Sequence, residues 1–124
     1  MNIKEDYVSF ETAKLLKEKG FEEPTMHHFS ADGTKRKFQQ AHYPEDIAQP
    51  TMQMAMKWLR EVHEIVIVIE PYDSYEQERY EFTIYKRHDN DTFEWDMVDV
   101  LNSLFVGYEK CAESAIDYCL RNLI

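Results

Sequence analysis

From Thr51 to Glu70 the chain runs for twenty residues without a glycine, a proline or a serine. Its first part, T51-M52-Q53-M54-A55-M56-K57-W58-L59-R60-E61-V62-H63, is built largely from good helix formers. Its last part, Ile65-Val66-Ile67-Val68-Ile69, is five β-branched side chains in a row, which lose rotamer freedom in a helix and suit a pleated surface. The change of propensity therefore marks a helix-to-strand boundary where no turn residue stands. The competing reading is a helix continued to Ile69, and Pro71 ends either one. Pro50 fits the entry to this helix, with Gln49 or Thr51 near its cap.

The flanking segments supply the rest of that sheet and its cover. Ser9 suits the cap of a helix over residues 10–19, closed by Gly20 in the left-handed position. T25-M26-H27-H28-F29 and K35-R36-K37-F38 flank Ala31-Asp32-Gly33 as a hairpin. Residues 43–49 read as an irregular connector. Y80-E81-F82-T83-I84-Y85 alternates cleanly and pairs with Ile65–Ile69 across the polar loop 73–78. Residues 93–106 fit either a strand near 95–100 or a short helix. Cys111, Ala112, Ala115, Ile116, Cys119, Leu120 and Leu123 form a helical stripe opposed by Lys110, Glu113, Asp117 and Arg121. The expected fold is α+β, a single two-layer domain over 1–124. Three helices pack on a mostly antiparallel sheet of about four or five strands, in the order α-β-β-α-β-β-α.

Composition narrows the function classes. The formal charge is −10, and it is unevenly placed. Residues 1–62 carry nine Lys/Arg against ten Asp/Glu, whereas residues 63–124 carry five against fourteen. Such a surface repels phosphate backbones, so direct nucleic-acid binding is not expected. Lys35-Arg36-Lys37 reads as a solvated strand edge rather than a binding patch. No apolar run reaches the roughly 18 residues of a membrane span, and the N-terminus lacks a signal-peptide core, so the expected location is cytoplasmic. Cys111 and Cys119, on one helix, lie about 12 Å apart by helical rise, too far for a disulfide. They are expected to be reduced core thiols.

Catalytic and ligand patterns are weak. His27 and His28 are adjacent on a strand and point to opposite faces, while His42, His63 and His88 lack ligand spacing. D89-N90-D91-T92-F93-E94 resembles a calcium loop only briefly, lacking the central glycine and the twelfth-position acid. There is no phosphate-cradling glycine loop and no nucleophile elbow. No cofactor, metal or catalytic residue is expected. Tyr72, Asp73 and Tyr75 form a candidate binding loop, weighed against an ordinary solvated hairpin turn.

The middle helix is the sharper feature. Met52, Met54, Ala55, Met56, Trp58, Leu59 and Val62 span about 200° of its circumference, against the 100° or so that one core-facing stripe needs. The strand after it is apolar on both faces. Met54 and Trp58 are therefore candidate interface residues, set against the alternative of a central helix covered by its own chain. Two-fold self-association is the simplest form of such an interface.

P50-T51, the run K57-W58-L59-R60-E61 before a β-branched strand, and Y108-E109-x-x-A112 at the last helix together resemble a small family encoded by Bacteroides-type gut bacteria and their phages or prophages. S9-F10-E11-x-A13-K14 followed by Gly20-Phe21, and the ending Leu123-Ile124, extend that resemblance over nearly the whole chain. It departs at Cys111 and Cys119, where aliphatic residues or alanine are expected, and in 93–106. The resemblance implies a phage-linked cytoplasmic origin and no transferable activity. The leading expectation is a non-enzymatic protein acting through protein–protein contact or as a homodimer. The alternatives are an acidic decoy that mimics nucleic acid toward a host DNA-binding protein, and a small-molecule binder or enzyme with a pocket at His63 or at Tyr72–Tyr75.

Overall fold

The computed structural model describes residues 2–37 and 45–124. In chain order the elements are α1 (Phe10–Glu18), β1 (His27–Phe29), β2 (Lys35–Lys37), β3 (Ile47–Gln49), α2 (Met52–His63), β4 (Ile65–Tyr72), β5 (Arg79–Arg87), β6 (Trp95–Val98), β7 (Leu104–Val106) and α3 (Tyr108–Asn122). The helix-to-strand change is made at a single residue. Thr51 caps α2, its hydroxyl accepting from the Met54 N–H at 3.0 Å. Glu64 ends α2 in the left-handed region, φ 55 and ψ 42, and the strand begins at the next residue. A left-handed residue reverses the chain direction within one position, so no loop is required.

The first helix ends as its residues suggest. Ser9 accepts from the Thr12 N–H, and Gly20 takes φ 99. The Phe21 N–H reaches the Leu16 carbonyl at 2.9 Å and the Gly20 N–H the Lys17 carbonyl at 3.1 Å, a Schellman closure. Leu16 and Phe21, the apolar pair such a closure brings together, are both buried.

The strands divide into two antiparallel sheets. The smaller has the order β2-β1-β3, and the larger runs β4-β5-β6 with β7 also paired to β5. Residues 47–49, expected to be irregular, form β3, which aligns Phe29 with Ile47 and His27 with Gln49. Three residues are too few for a period-2 signal; pairing with β1 supplies the order. The expected connector's residues 43 and 44, His42, and residue 38 of the hairpin lie outside the described residues. The ambiguous stretch 93–106 resolves into β6 and β7. Both pair with β5, β6 through Tyr85–Met97 and β7 through Tyr80–Phe105.

The core centres on α3. Cys111, Ala112, Ala115, Ile116, Cys119 and Leu120 are completely enclosed, and the helix packs against α1, α2, β4, β5 and β7. Its small side chains let neighbours approach from several directions. Both thiols are unpaired, and burial pushes Cys111 up to about 11 and Cys119 to about 12, so they remain protonated packing groups. α1 and α3 are also joined by a carboxylate: Glu113 Oε1 accepts from Thr12 Oγ1 at 2.6 Å and from the Ser9 N–H at 2.9 Å. Among the described residues no helix is long and apolar enough to cross a membrane.

Two substitutions check this arrangement by urea denaturation. Leu120→Ala is expected to cost about 2–5 kcal/mol through the cavity it leaves. Glu113→Ala is expected to cost about 1–3 kcal/mol, with Glu113→Gln costing less because it keeps the acceptor.

Candidate interaction surface

The two faces of the larger sheet differ. Register places Ile65, Ile67 and Ile69 of β4 opposite Lys86, Ile84 and Phe82 of β5, with Val98 and Phe105 on the same face. That face carries the core: Ile65, Phe82 and Ile84 are buried, and Ile67, Ile69, Tyr80, Val98 and Phe105 pack against the buried cluster. The alternate residues point the other way. They form cross-strand rows Val66–Tyr85–Met97 and Tyr72–Arg79–Val106, beside Val68–Thr83 and Arg87–Trp95. Among the described residues none of the apolar side chains in these rows belongs to the hydrophobic core or packs against it. Tyr72 is 47% exposed, Trp95 43%, Met97 64% and Val106 50%.

Charge on this open face is close to balanced in a chain that is strongly acidic. Its ionisable strand residues are Glu70, Glu81, Arg79 and Arg87, two of each sign. Arg87 also organises the turn after β5. Its guanidinium donates to the Thr92 carbonyl at 2.9 Å, lies 3.6 Å from Glu64, and stands 4.8 Å over the Phe93 ring.

The residues singled out from sequence scatter. Trp58 is only 6% exposed, closed in by Phe21 at 5.5 Å and His63 at 4.7 Å between ring centroids. The expectation that Trp58 offers area to a partner is therefore corrected: the Gly20-Phe21 turn covers that flank of α2. The buried and half-buried residues of α2 run from Trp58 through Ala55, Leu59 and Met52 to Met56, an arc of about 160° at 100° per residue. Met54 falls outside it and is 40% exposed, but α2 lies on the core side of the sheet, the layer opposite Tyr72. Tyr72 joins the open face at the end of β4. Asp73 and fully exposed Tyr75 sit in the hairpin turn beyond it. Trp95, Met97 and Val106 were not singled out from sequence. The available signal was W95-D96-M97-V98, where Trp95 and Met97 alternate with Val98, a strand with apolar residues on both sides like the one it lies beside.

Polar groups elsewhere are engaged in holding the fold. In the smaller sheet His28 Nε2 lies 3.1 Å from Asp46 Oδ2 with both side chains buried, an approach off the ring nitrogen's hydrogen-bond direction. Nearby, Ser30 Oγ donates to Asp32 Oδ1, and Asp32 also accepts the Thr34 N–H, so the hydroxyl ties a turn instead of facing a base. A cleft of about 270 Å³ is lined by Ser30, Ala31, Asp32, Glu45 and Asp46, and one of about 150 Å³ by residues that include Thr83, Met97 and Ser103. Both fall below the usual range for ligand sites, roughly 300–1,000 Å³, and neither is lined by His63 or by Tyr72–Tyr75. In the 88–94 turn, Asp89 accepts the N–H groups of Asp91 and Thr92, which holds its carboxyl below the ordinary range.

Comparison of the chain with protein families, with curated proteins and with solved structures finds no match.

His63 gives a pH test of the packing around Trp58. Burial, and then the nearby Lys86, hold its pKa below the ordinary 6.5, and Nε2 is buried without a hydrogen-bond partner. The unfolded chain takes the proton first, so the stability this group contributes is present above about pH 6.5 and is lost as pH falls below it. His88, raised by its hydrogen bond to Asp96, contributes with the opposite sign. His63→Leu leaves His88 in place, so its melting temperature is expected to fall less than the wild type's between pH 7.5 and 5.5, in matched thermal melts.

Proposed function

We propose that this protein acts by contact with another protein, through the open face of the sheet β4-β5-β6/β7. The observation that carries the reading is the set Tyr72, Trp95, Met97 and Val106, exposed beside half-buried Tyr85, on a sheet face that no helix among the described residues covers. Aromatic residues and methionine are enriched at interfaces, and uncovered apolar patches of more than a few hundred Å² are uncommon on monomers. Arg79 and Arg87 against Glu64, Glu70 and Glu81 support it further, because this face holds little of the chain's net charge and an approaching surface meets little repulsion there. Met54, on the far layer, remains at most a second, smaller contact.

The nucleic-acid-mimic reading draws less support. Among the carboxylates of the acidic half, Glu113 is bonded inside, Asp117 pairs with Arg121 at 2.9 Å, Asp96 with His88 at 2.9 Å, and Asp89 closes its own turn. These are local duties on separate elements. A phosphate-like row requires carboxylates left free and aligned.

The test is photo-crosslinking from a benzophenone side chain placed at position 95, with position 53 on the polar side of α2 as control. A defined adduct from 95, absent from 53, is expected, and a doubled mass identifies a second copy as the partner. Met97→Glu is expected to remove the adduct while changing stability by no more than about 0.5 kcal/mol. Equal labelling from both positions, or none, refutes the reading.

A further inference from the structure

The sheet also has an unpaired backbone edge. Among the described residues β4 pairs with β5 and with nothing on its other side. The Arg87 N–H donates to the Glu64 carbonyl at 3.2 Å, which sets the phase of the ladder. In an antiparallel pair, alternate residues direct both backbone groups to the same neighbour. Glu64, Val66, Val68, Glu70 and Tyr72 therefore bond toward β5, and Ile65, Ile67, Ile69 and Pro71 point outward. The Phe82 N–H agrees, reaching away from β4 to the Ser103 carbonyl at 3.0 Å. Ile65 is 1% exposed, closed off at the end of α2, and Pro71 has no N–H. The accessible donors are those of Ile67 and Ile69, both half-exposed, and the accessible acceptors are their carbonyls and that of exposed Pro71.

Edge strands are normally blunted by a lysine, an inward charge, a bulge or a proline. Between Val66 and Ile69 this edge has none of these, and Pro71 stands beyond the usable stretch. We infer that the edge of β4 pairs with the same edge of a second copy, antiparallel about a two-fold axis at Val68, joining two four-stranded sheets into one. In that register Ile67 lies opposite the second copy's Ile69 and exchanges both backbone hydrogen bonds with it; symmetry repeats the pair, giving four bonds. Val68 meets its own counterpart on the open face, Val66 meets Glu70, and Glu64 meets Tyr72. No carboxylate faces a carboxylate. Centring the axis at Ile67 sets Glu64 against Glu70 and needs the enclosed Ile65, so that register is disfavoured. A second copy fits better than a basic strand because residues 65–69 carry no charge for a basic partner to engage. The joined sheet also doubles the open face. The inference concerns the backbone edge and stands even if that face has no partner.

The test uses the fact that Ile67 directs its N–H outward. Ile67→Pro removes an outward donor without touching the β4–β5 ladder, a position where edge strands tolerate proline. Ile67→Ala removes side-chain packing and keeps the donor. In sedimentation velocity over a concentration series, the wild type and Ile67→Ala are expected to dimerise. Ile67→Pro, folded by circular dichroism, is expected to dissociate about tenfold to a hundredfold more readily. Amide exchange on the wild type supplies a readout free of any variant: Ile67 and Ile69 are expected to gain protection with concentration, while Val66 and Val68 are protected throughout. A wild type that stays monomeric, a folded Ile67→Pro that dimerises as the wild type does, or Ile67 and Ile69 amides that exchange freely at every concentration overturns the inference. Met97→Glu is expected to dimerise normally, which separates this result from the outcome for the open face.

Discussion

The enclosure of α3 is the constraint on which the rest of the structure depends. A helix that buries Cys111, Ala112, Ala115, Ile116, Cys119 and Leu120 completely needs cover on several sides. That cover comes from α1, α2 and one face of the larger sheet. Small side chains at four of those six positions let the neighbours come close, and dense packing of this kind is where most of the favourable burial free energy arises. With every helix of the described chain committed to that side, none remains for the other face of the sheet. The helix-free row from Val66 to Met97, half-buried at Val66 and Tyr85 and exposed at Met97, follows from where the helices went. The free edge of β4 follows from the same topology, because the chain enters the sheet at one margin and β5 has β6 and β7 on its other side.

The polar chemistry inside the molecule is structural in the same sense. Glu113 ties the start of α1 to α3, Asp32 and Asp89 close turns, and Arg87 ties the end of β5 to the loop after it. Their hydrogen bonds go to nearby backbone or to one or two side chains, the usual condition for keeping a polar atom out of water at modest cost, while Glu113 Oε2 is buried without a partner. What distinguishes this surface from an ordinary one is its apolar content rather than any convergence of acids and bases.

Much of the fold was legible because local signals agreed with one another. Ser9 with Gly20, and Thr51 followed by Met-, Ala- and Leu-rich sequence, fix helix ends through hydrogen bonds that lie within a few residues. The alternation of Tyr80, Phe82 and Ile84 fixes which face of β5 is buried. The site was legible only in part. That Ile65–Ile69 is apolar on both sides was evident, as was the excess of apolar residues on the middle helix. Trp58 seemed available because helical periodicity reports direction and cannot report that Phe21, thirty-seven positions earlier, lies against it. Trp95 and Met97 were missed because β6 is four residues long, too short to outweigh a helical reading without its neighbour Tyr85 in view.

By itself the sequence determined the ends of the first helix, the α+β class, the absence of a bridge between two distant thiols and the concentration of acid in the second half. These follow from interactions within one turn of helix or a few residues of strand, or from composition alone. Tertiary structure decided the division into two sheets, the short strand at Ile47–Gln49, the enclosure of Trp58 and the side of the sheet left open. Those depend on which apolar surfaces meet across long stretches of chain, and periodicity in one segment carries no record of what the others will cover.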